Sequence, residues 1–221
     1  MTTLGIILII IGVLLVGGLV FSYFYTSMIA RKVYEHTLVR TSPEKWGRCC
    51  SDTTNEEQVF MWNEGLAWEE RNRDKKTELQ IENEGFRLFG EYFDFGATKA
   101  VIIVPGRSES LMYSYYFAAP YEKAGCNVLV IDIRSHGLSD GKYDYIGVGE
   151  DMDVIKWAGV LHDRFGNKDV IIHGICMGAA TGILALTKPD CPSYISGEVS
   201  EGMYISFYES YKQHMIYEKK P

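Results

Sequence analysis

One cysteine, flanked by two closely spaced glycines, could carry out covalent chemistry in this chain. Cys176 is the centre of Gly174-Ile175-Cys176-Met177-Gly178, between an apolar β-branched run and a run of small helix-forming residues. A strand, a sharp turn and a helix in this order form a nucleophile elbow, which holds its central side chain at the tip of a strained turn. The glycines let strand and helix approach closely. The pattern predicts that Cys176 is an exposed nucleophile.

The first N–H groups of the following helix would lie beside this thiol. Such N–H groups and the helix dipole favour negative charge, so we expect them to promote the Cys176 thiolate. The alternative is a buried cysteine in a glycine-rich strand-to-helix turn, because the chain contains 22 glycines and the motif alone has low specificity.

Composition limits the class of protein. The 221 residues, 47% of them apolar, suffice for one sizeable domain with an attachment. A net charge of -7 argues against a nucleic-acid partner. None of the five cysteines forms a Cys-x-x-Cys pair, and Cys49 and Cys50 are adjacent. We therefore expect reduced thiols, no zinc site and no cofactor.

The N-terminal segment has the composition of a membrane span. Residues 4–25 are apolar or small, and no charged side chain precedes Arg31. About 20 such residues cross a bilayer, so residues 1–26 are predicted to form a single-pass anchor in the cell membrane. A cleaved signal peptide would have a basic start and a shorter apolar centre. Basic residues after the span, beginning with Arg31 and Lys32, place the remaining chain in the cytoplasm by the positive-inside rule.

Residues 27–75 are predicted to be a helical connector between anchor and domain. The first helix should continue to Val39 and end at Thr41-Ser42-Pro43. A second should start at Thr54, since Thr54-Asn55-Glu56-Glu57 has the pattern of a capping box.

From residue 76 onward, strand and helix patterns alternate, which predicts an α/β domain with a mostly parallel sheet over residues 76–221. Loops after the strands, at 105–108, 132–141 and the elbow, should meet at one edge of that sheet. The predicted strands are 77–81 and 86–95 as a hairpin, then 100–104, 128–131, 170–175 and 195–199; the helices are 108–123, bent by Pro120, then 151–165, 177–186 and 207–216.

Three motifs, in order, resemble those of the α/β-hydrolase family, and of membrane-anchored bacterial members with a serine-aminopeptidase-like domain. They are Val104-Pro105-Gly106-Arg107 at the oxyanion loop, the Asp-x-Arg-x-His-Gly-x-Ser turn at 132–139, and the elbow at 173–178. The resemblance implies the α/β-hydrolase fold and hydrolysis of a small acyl substrate (an ester, a thioester or a short peptide amide). Cys176 would be the nucleophile, and the N–H groups of Arg107 and Met177 would form the oxyanion hole.

The sequence departs from the family's pattern. Cys176 replaces the usual serine, as in the dienelactone hydrolases of this fold, and Pro105 replaces a histidine without removing the backbone donor. The family has eight strands, with its acid and histidine after the last ones, whereas about six strands are predicted here. The last strands are therefore expected to be missing, and the domain to be incomplete at its C-terminal end.

In this family the nucleophile works with an acid and a histidine as a catalytic triad, and the remaining candidates for the acid and the histidine are weak. His214 is the one histidine after Cys176, but it falls on a helix; Glu201 follows the sixth strand, where some related lipases place their acid. Surface or capping roles suit both residues as well. The other histidines are expected near the membrane (His36), in the turn motif as a structural residue (His136), on a solvated helix face (His162) and pointing into the core (His173).

These departures predict an impaired acyl hydrolase. Without a general base, Cys176 should be acylated or alkylated once, without useful turnover. The incomplete sheet would expose residues 195–199 as an open edge, where a partner chain could pair. The alternatives are a non-catalytic, membrane-tethered binding or scaffold module and one half of a split hydrolase. A dinucleotide-binding fold is disfavoured, because Gly174, Gly178 and Gly182 are spaced four apart.

Overall fold

The computed structural model describes residues 2–204 and 206–218, without the side chains at 214, 215 and 218. The chain divides into two compact units, one from Met1 to Val39 and one from Arg40 onward. The boundary between the two units lies within the predicted connector, after Val39. The first part of the connector belongs to the N-terminal unit, and residues 40–75 belong to the unit that holds the sheet.

The N-terminal unit is one helix, α1, Thr3–Leu38, whose first turn is capped by the Thr2 hydroxyl accepting the N–H of Gly5. Its most apolar window has a mean hydropathy of 3.1, and none of that window is buried. By length and composition α1 could be a membrane anchor or a signal sequence. The helix continues past residue 26, as predicted, and ends at Leu38, one residue before the predicted Val39.

The second unit is built on a six-stranded sheet in the order β1-β2-β4-β3-β5-β6. Strands β3, β4, β5 and β6 pair in parallel, whereas β2 is antiparallel to both β1 and β4. The predicted hairpin and mostly parallel sheet are therefore confirmed. The strands are β1 Lys76–Asn83, β2 Phe86–Phe93, β3 Lys99–Val104, β4 Cys126–Ile131, β5 Asp169–Ile175 and β6 Ile195–Glu201.

Helices cover both faces of the sheet. On one face, α5 (Glu150–Phe165) and α6 (Met177–Leu186) bury Trp157 and Met177 against β3 and β5. On the other, α2 (Glu56–Arg71), α3 (Leu111–Ser114) and α4 (Ala118–Lys123) bury Trp68 and Tyr115 against β3 and β4. The last helix is α7, Phe207–Glu218. Burial on both faces explains why the central strands are continuous apolar runs.

The start of α2 differs by one residue from the prediction. Asn55, not Thr54, is the N-cap, and its side-chain oxygen accepts the N–H groups of Glu57 and Gln58 at 3.0 and 3.2 Å. Thr54 instead donates its hydroxyl and N–H to the carboxylate of Asp52. Both residue types cap helices well, so a local side-chain contact decided the position.

The helix predicted over 108–123 is the larger error. Residues 108–110 form a loop, and the helical part is broken into α3, a 3₁₀ turn at Tyr115–Phe117, and α4. Pro120 is the third residue of α4, where an N–H has no partner within the helix, so the proline does not cause the break. The loop at 108–110 instead belongs to the site described next.

Candidate active site

Cys176 occupies a strained turn between β5 and α6. Its backbone has φ 51° and ψ -106°, a conformation that costs a non-glycine residue free energy. A Cβ on Gly174 would lie 2.3 Å from Cα of Ala179, and one on Gly178 would lie 2.2 Å from the carbonyl oxygen of Val104. Only glycine fits at either position, so the two glycines set the geometry of the elbow as predicted.

The environment of the thiol combines opposing effects. The backbone N–H groups of Met177 and Arg107 favour the charged thiolate and act to lower the pKa of the Cys176 thiol. The residue is exposed, but protein packs around one side of its thiol. This packing raises the pKa of the Cys176 thiol, and the nearby carboxylate of Glu109 raises it further, against the two N–H groups. The expectation of a promoted thiolate was therefore wrong.

The oxyanion loop is held in shape by a carboxylate that the sequence analysis did not single out. Oε2 of Glu109 accepts the N–H of Gly106 at 3.0 Å, and Ser108 has φ 70°. The Arg107 side chain donates to the buried carboxylate of Asp144 at 3.1 Å. The sequence feature that could have identified Glu109 is an acidic residue three positions after the loop glycine, Gly106.

The buried His136 ring is hydrogen-bonded to this loop. Its Nδ1 donates to the carbonyl of Arg134 at 2.8 Å, which leaves Nε2 to accept the N–H of Ser108 at 3.2 Å. Trp46 stacks on the ring at 4.8 Å between centroids. Burial lowers the pKa of His136 to about 4, so the ring is neutral and keeps its acceptor nitrogen. The predicted structural role agrees with these contacts.

The turn at 132–141 is likewise structural. Asp132 accepts the N–H groups of Leu111 and Leu138 at 2.8 and 3.0 Å and pairs with Arg48. Arg134 forms two hydrogen bonds with Asp153. These buried carboxylates brace the start of α3 and the start of α5 around the site.

His173 and Glu201 make other contacts in the part of the chain that the structure describes. His173 is buried, as predicted, and its Nδ1 lies 2.9 Å from the hydroxyl of Tyr121. The Glu201 carboxylate lies 3.6 Å from His173 Nε2, while the Glu201 carbonyl accepts the N–H of Cys176 at 2.7 Å.

Two further histidines, His162 and His214, lie on helices α5 and α7. His162 is half-buried and stacks on Tyr194 at 4.1 Å between centroids, so the prediction of a solvated position was wrong. His214 lies on α7 as predicted, but its side chain is outside the described residues.

An apolar cavity of about 490 Å³ lies next to the elbow. Ala180 lines it, and the Ala180 N–H bonds to the carbonyl of Cys176. Phe207 also lines the cavity, and the Arg107 guanidinium lies over the Phe207 ring, 5.7 Å from the ring centroid. The buried Tyr204 hydroxyl has no hydrogen-bond partner among the described residues, and burial raises the pKa of Tyr204 to about 12. The other lining residues are Tyr145, Ile146, Val148, Ile183, Leu184 and Met203.

Comparisons with known proteins agree with the fold. A family model described as the alpha/beta hydrolase fold matches residues 99–208. The uncharacterized protein YqkD of Bacillus subtilis (strain 168) is 34% identical over 85 residues, which are 38% of this chain and 28% of that protein.

Solved structures of an esterase from Pyrococcus furiosus also resemble the chain. One of them has a TM-score of 0.61 at 28% identity and covers 69% of this chain and 60% of the esterase. A second crystal form has a TM-score of 0.59 at 27% identity. The chain thus spans about 60% of the length of the esterase. These matches support an α/β-hydrolase family, and the domain has the α/β-hydrolase fold.

Proposed function

We propose that this chain is an acyl hydrolase in which Cys176 is the nucleophile and the N–H groups of Arg107 and Met177 form the oxyanion hole. The observation that carries the proposal is the elbow itself: an exposed cysteine with strained backbone dihedral angles at the turn between β5 and α6. A buried structural cysteine has no need of this conformation. The likeness to an esterase at 28% identity supports the same reaction class.

In the proposed reaction, the Cys176 sulfur attacks the carbonyl carbon of an ester or thioester. The developing oxyanion accepts hydrogen bonds from the N–H groups of Arg107 and Met177. The leaving group departs with a proton, and the acyl group remains on Cys176 as a thioester. Water then hydrolyses this thioester and restores the thiol.

We expect acylation to be faster than hydrolysis of the thioester. Among the histidines whose side chains the structure describes, His136 accepts the N–H of Ser108 through Nε2, and Nδ1 of His173 lies 2.9 Å from the Tyr121 hydroxyl, so we assign the role of general base to neither. Loss of a histidine general base costs on the order of 10²–10⁴ in rate. The predicted behaviour is a burst of acylation followed by slow turnover.

The cavity suggests which acyl groups fit. Its volume of about 490 Å³ is within the range of small-molecule sites, and apolar side chains form most of its wall. It begins one helical turn from Cys176 and beside the Arg107 side chain. We therefore favour an ester or thioester with an apolar acyl chain over a short peptide of the serine-aminopeptidase type.

Acyl trapping tests the proposal. The full-length protein in detergent is mixed with p-nitrophenyl butyrate, and the adduct is located by mass spectrometry of peptides. We expect a stoichiometric burst of nitrophenol and a butyryl group on Cys176, both lost in Cys176→Ala. Cys49→Ala is the matched control, because Cys49 is an exposed cysteine away from the elbow. A burst that survives Cys176→Ala would refute the proposal.

We also propose that α1 anchors the protein in the cell membrane through residues 4–25, with the hydrolase domain in the cytoplasm. The helix is apolar, none of its most apolar window is buried, and Arg31 and Lys32 follow the apolar part. Protease treatment of intact cells and of lysed cells tests the orientation. Digestion of the domain in intact cells would contradict it.

The second candidate is a non-catalytic, membrane-tethered binding module, which the raised pKa of the Cys176 thiol favours. A partner chain at the edge strand β6, as in a split hydrolase, also stays a prediction. Alkylation rates separate the candidates. Labelling of Cys176 much faster than that of Cys126 and Cys191 supports the enzyme, whereas equally slow labelling of all three supports the binding module.

A further inference from the structure

Resting on the proposed function, we infer that Glu109 is the proton carrier for hydrolysis of the Cys176 thioester. The carboxylate lies on the oxyanion loop, beside the thiol, where it could activate the attacking water. This assignment would give the site a general base that comes from within residues 105–110, instead of from a later part of the chain.

The geometry around Gly106 supports the assignment. A Cβ on Gly106 would lie 2.8 Å from Oε2 of Glu109 and 3.6 Å from Cβ of Cys176. The carboxylate and the cysteine therefore both lie beside Gly106, and a side chain at residue 106 would crowd the carboxylate. The Gly106 N–H holds Oε2 at 3.0 Å, so the carboxylate is fixed and needs no rearrangement.

The chemical environment of Glu109 suits a base. Burial raises the pKa of Glu109, and the Gly106 N–H opposes this only in part. A carboxylate with a raised pKa accepts a proton more readily. Glu109 is half-buried, so water still reaches it. Its charge also raises the pKa of the Cys176 thiol, which is consistent with a short separation.

In the inferred reaction, Glu109 takes a proton from water and returns it to the sulfur. Water attacks the thioester carbon while one of its protons moves to the Glu109 carboxylate, and the carbonyl oxygen becomes an oxyanion held by Arg107 and Met177. The carbon–sulfur bond then breaks, and its electron pair returns to Cys176. The sulfur takes the proton from Glu109, which leaves a carboxylic acid product, a free thiol and the original carboxylate.

The test compares Glu109→Gln with wild type in full-length protein. Glutamine keeps an oxygen to accept the Gly106 N–H, but it cannot serve as the base. After butyrylation with p-nitrophenyl butyrate and removal of the excess, we expect the thioester to persist at least about tenfold longer in Glu109→Gln. Wild-type hydrolysis should accelerate as pH rises through the Glu109 pKa, and the variant should lose this dependence. Glu82→Gln, on the distant edge strand β1, is the matched control.

Alkylation by iodoacetamide separates this role from a purely structural one. Removal of the negative charge should lower the thiol pKa, so Cys176 in Glu109→Gln should be alkylated at least as fast as in wild type at pH 7. A distorted loop would instead slow both reactions. A thioester lifetime changed less than tenfold, or slower alkylation, overturns the inference. The absence of any Cys176 adduct in wild type would overturn the proposed function, and the inference with it.

Discussion

Arg48 provides the sharpest test of how residues 40–75 support the domain. Its guanidinium pairs with Glu91 at 2.9 Å and with Asp132 at 3.0 Å, and these carboxylate side chains are 3% and 0% exposed. In Arg48→Met, both charges lose a partner while remaining buried. Breaking a buried pair from one side costs about 3–5 kcal/mol, because the remaining charge is not compensated.

The structure places the expected cost at the low end of this range. Arg48 itself is 22% exposed, Asp132 keeps the N–H groups of Leu111 and Leu138, and Glu91 keeps Lys76 at 3.3 Å. We therefore expect a loss of about 3 kcal/mol in the free energy of unfolding. For a domain of this size, that corresponds to a fall in Tm of roughly 6–12 °C.

Thermal unfolding of the full-length protein in detergent measures this loss. Arg87→Met is the matched control, since Arg87 pairs with Asp140 at 2.9 Å but the two side chains are 61% and 35% exposed. A surface pair of this kind contributes about 0–1 kcal/mol. The difference between wild type and Arg48→Met should also shrink as pH falls, because loss of Arg48 raises the pKa of Asp132 further and protonation removes its buried charge. Equal destabilisation by the two substitutions would refute the reasoning.

Two further substitutions test the elbow and a buried acid. Gly178→Ala would bring a Cβ within 2.2 Å of the Val104 carbonyl oxygen. We therefore expect about 1–3 kcal/mol of destabilisation and loss of the acylation burst. The control is Gly197→Ala on β6, where a Cβ would have nothing within 4 Å, and this variant should retain the burst. A burst unchanged in Gly178→Ala would contradict the elbow geometry. Burial, with Asp144 and Asp153 nearby and Arg134 opposing, raises the pKa of Glu150 to about 8. The folded protein therefore favours the protonated form of Glu150. The contribution of Glu150 to stability is complete below pH 4.5 and declines as pH rises toward 8. Glu150→Gln keeps an acceptor for the Gly147 N–H and should unfold with a flatter pH dependence between these values; an unchanged dependence in thermal melts would show that another group titrates.

Much of the fold could be predicted because its determinants are local. The apolar runs of β3, β4 and β5 are buried on both faces, and the alternation of strands and helices implied a mostly parallel sheet. At the elbow, Gly174 and Gly178 have no side chains, and the close approach of β5 and α6 requires this. A pattern of five residues was therefore enough to place Cys176 at the turn.

The errors concern residues whose environment comes from distant parts of the chain. His162 was expected in solvent, but Tyr194 stacks on it from a loop some thirty residues later. Helical propensity favoured a helix over residues 108–110, whereas the hydrogen bond from the Ser108 N–H to the distant His136 ring holds a loop there. Tertiary hydrogen bonds of this kind override local propensity.

The sequence by itself determined where the thiol stands, because glycine spacing and strand hydrophobicity act over a few residues. Only the tertiary structure decided how reactive that thiol is and what surrounds it. Its pKa depends on packing and on Glu109, which lies 67 residues earlier in the chain, and the cavity is closed by side chains from α6, α7 and two loops. Burial and electrostatic contact depend on distances in space, which no local pattern of residues encodes.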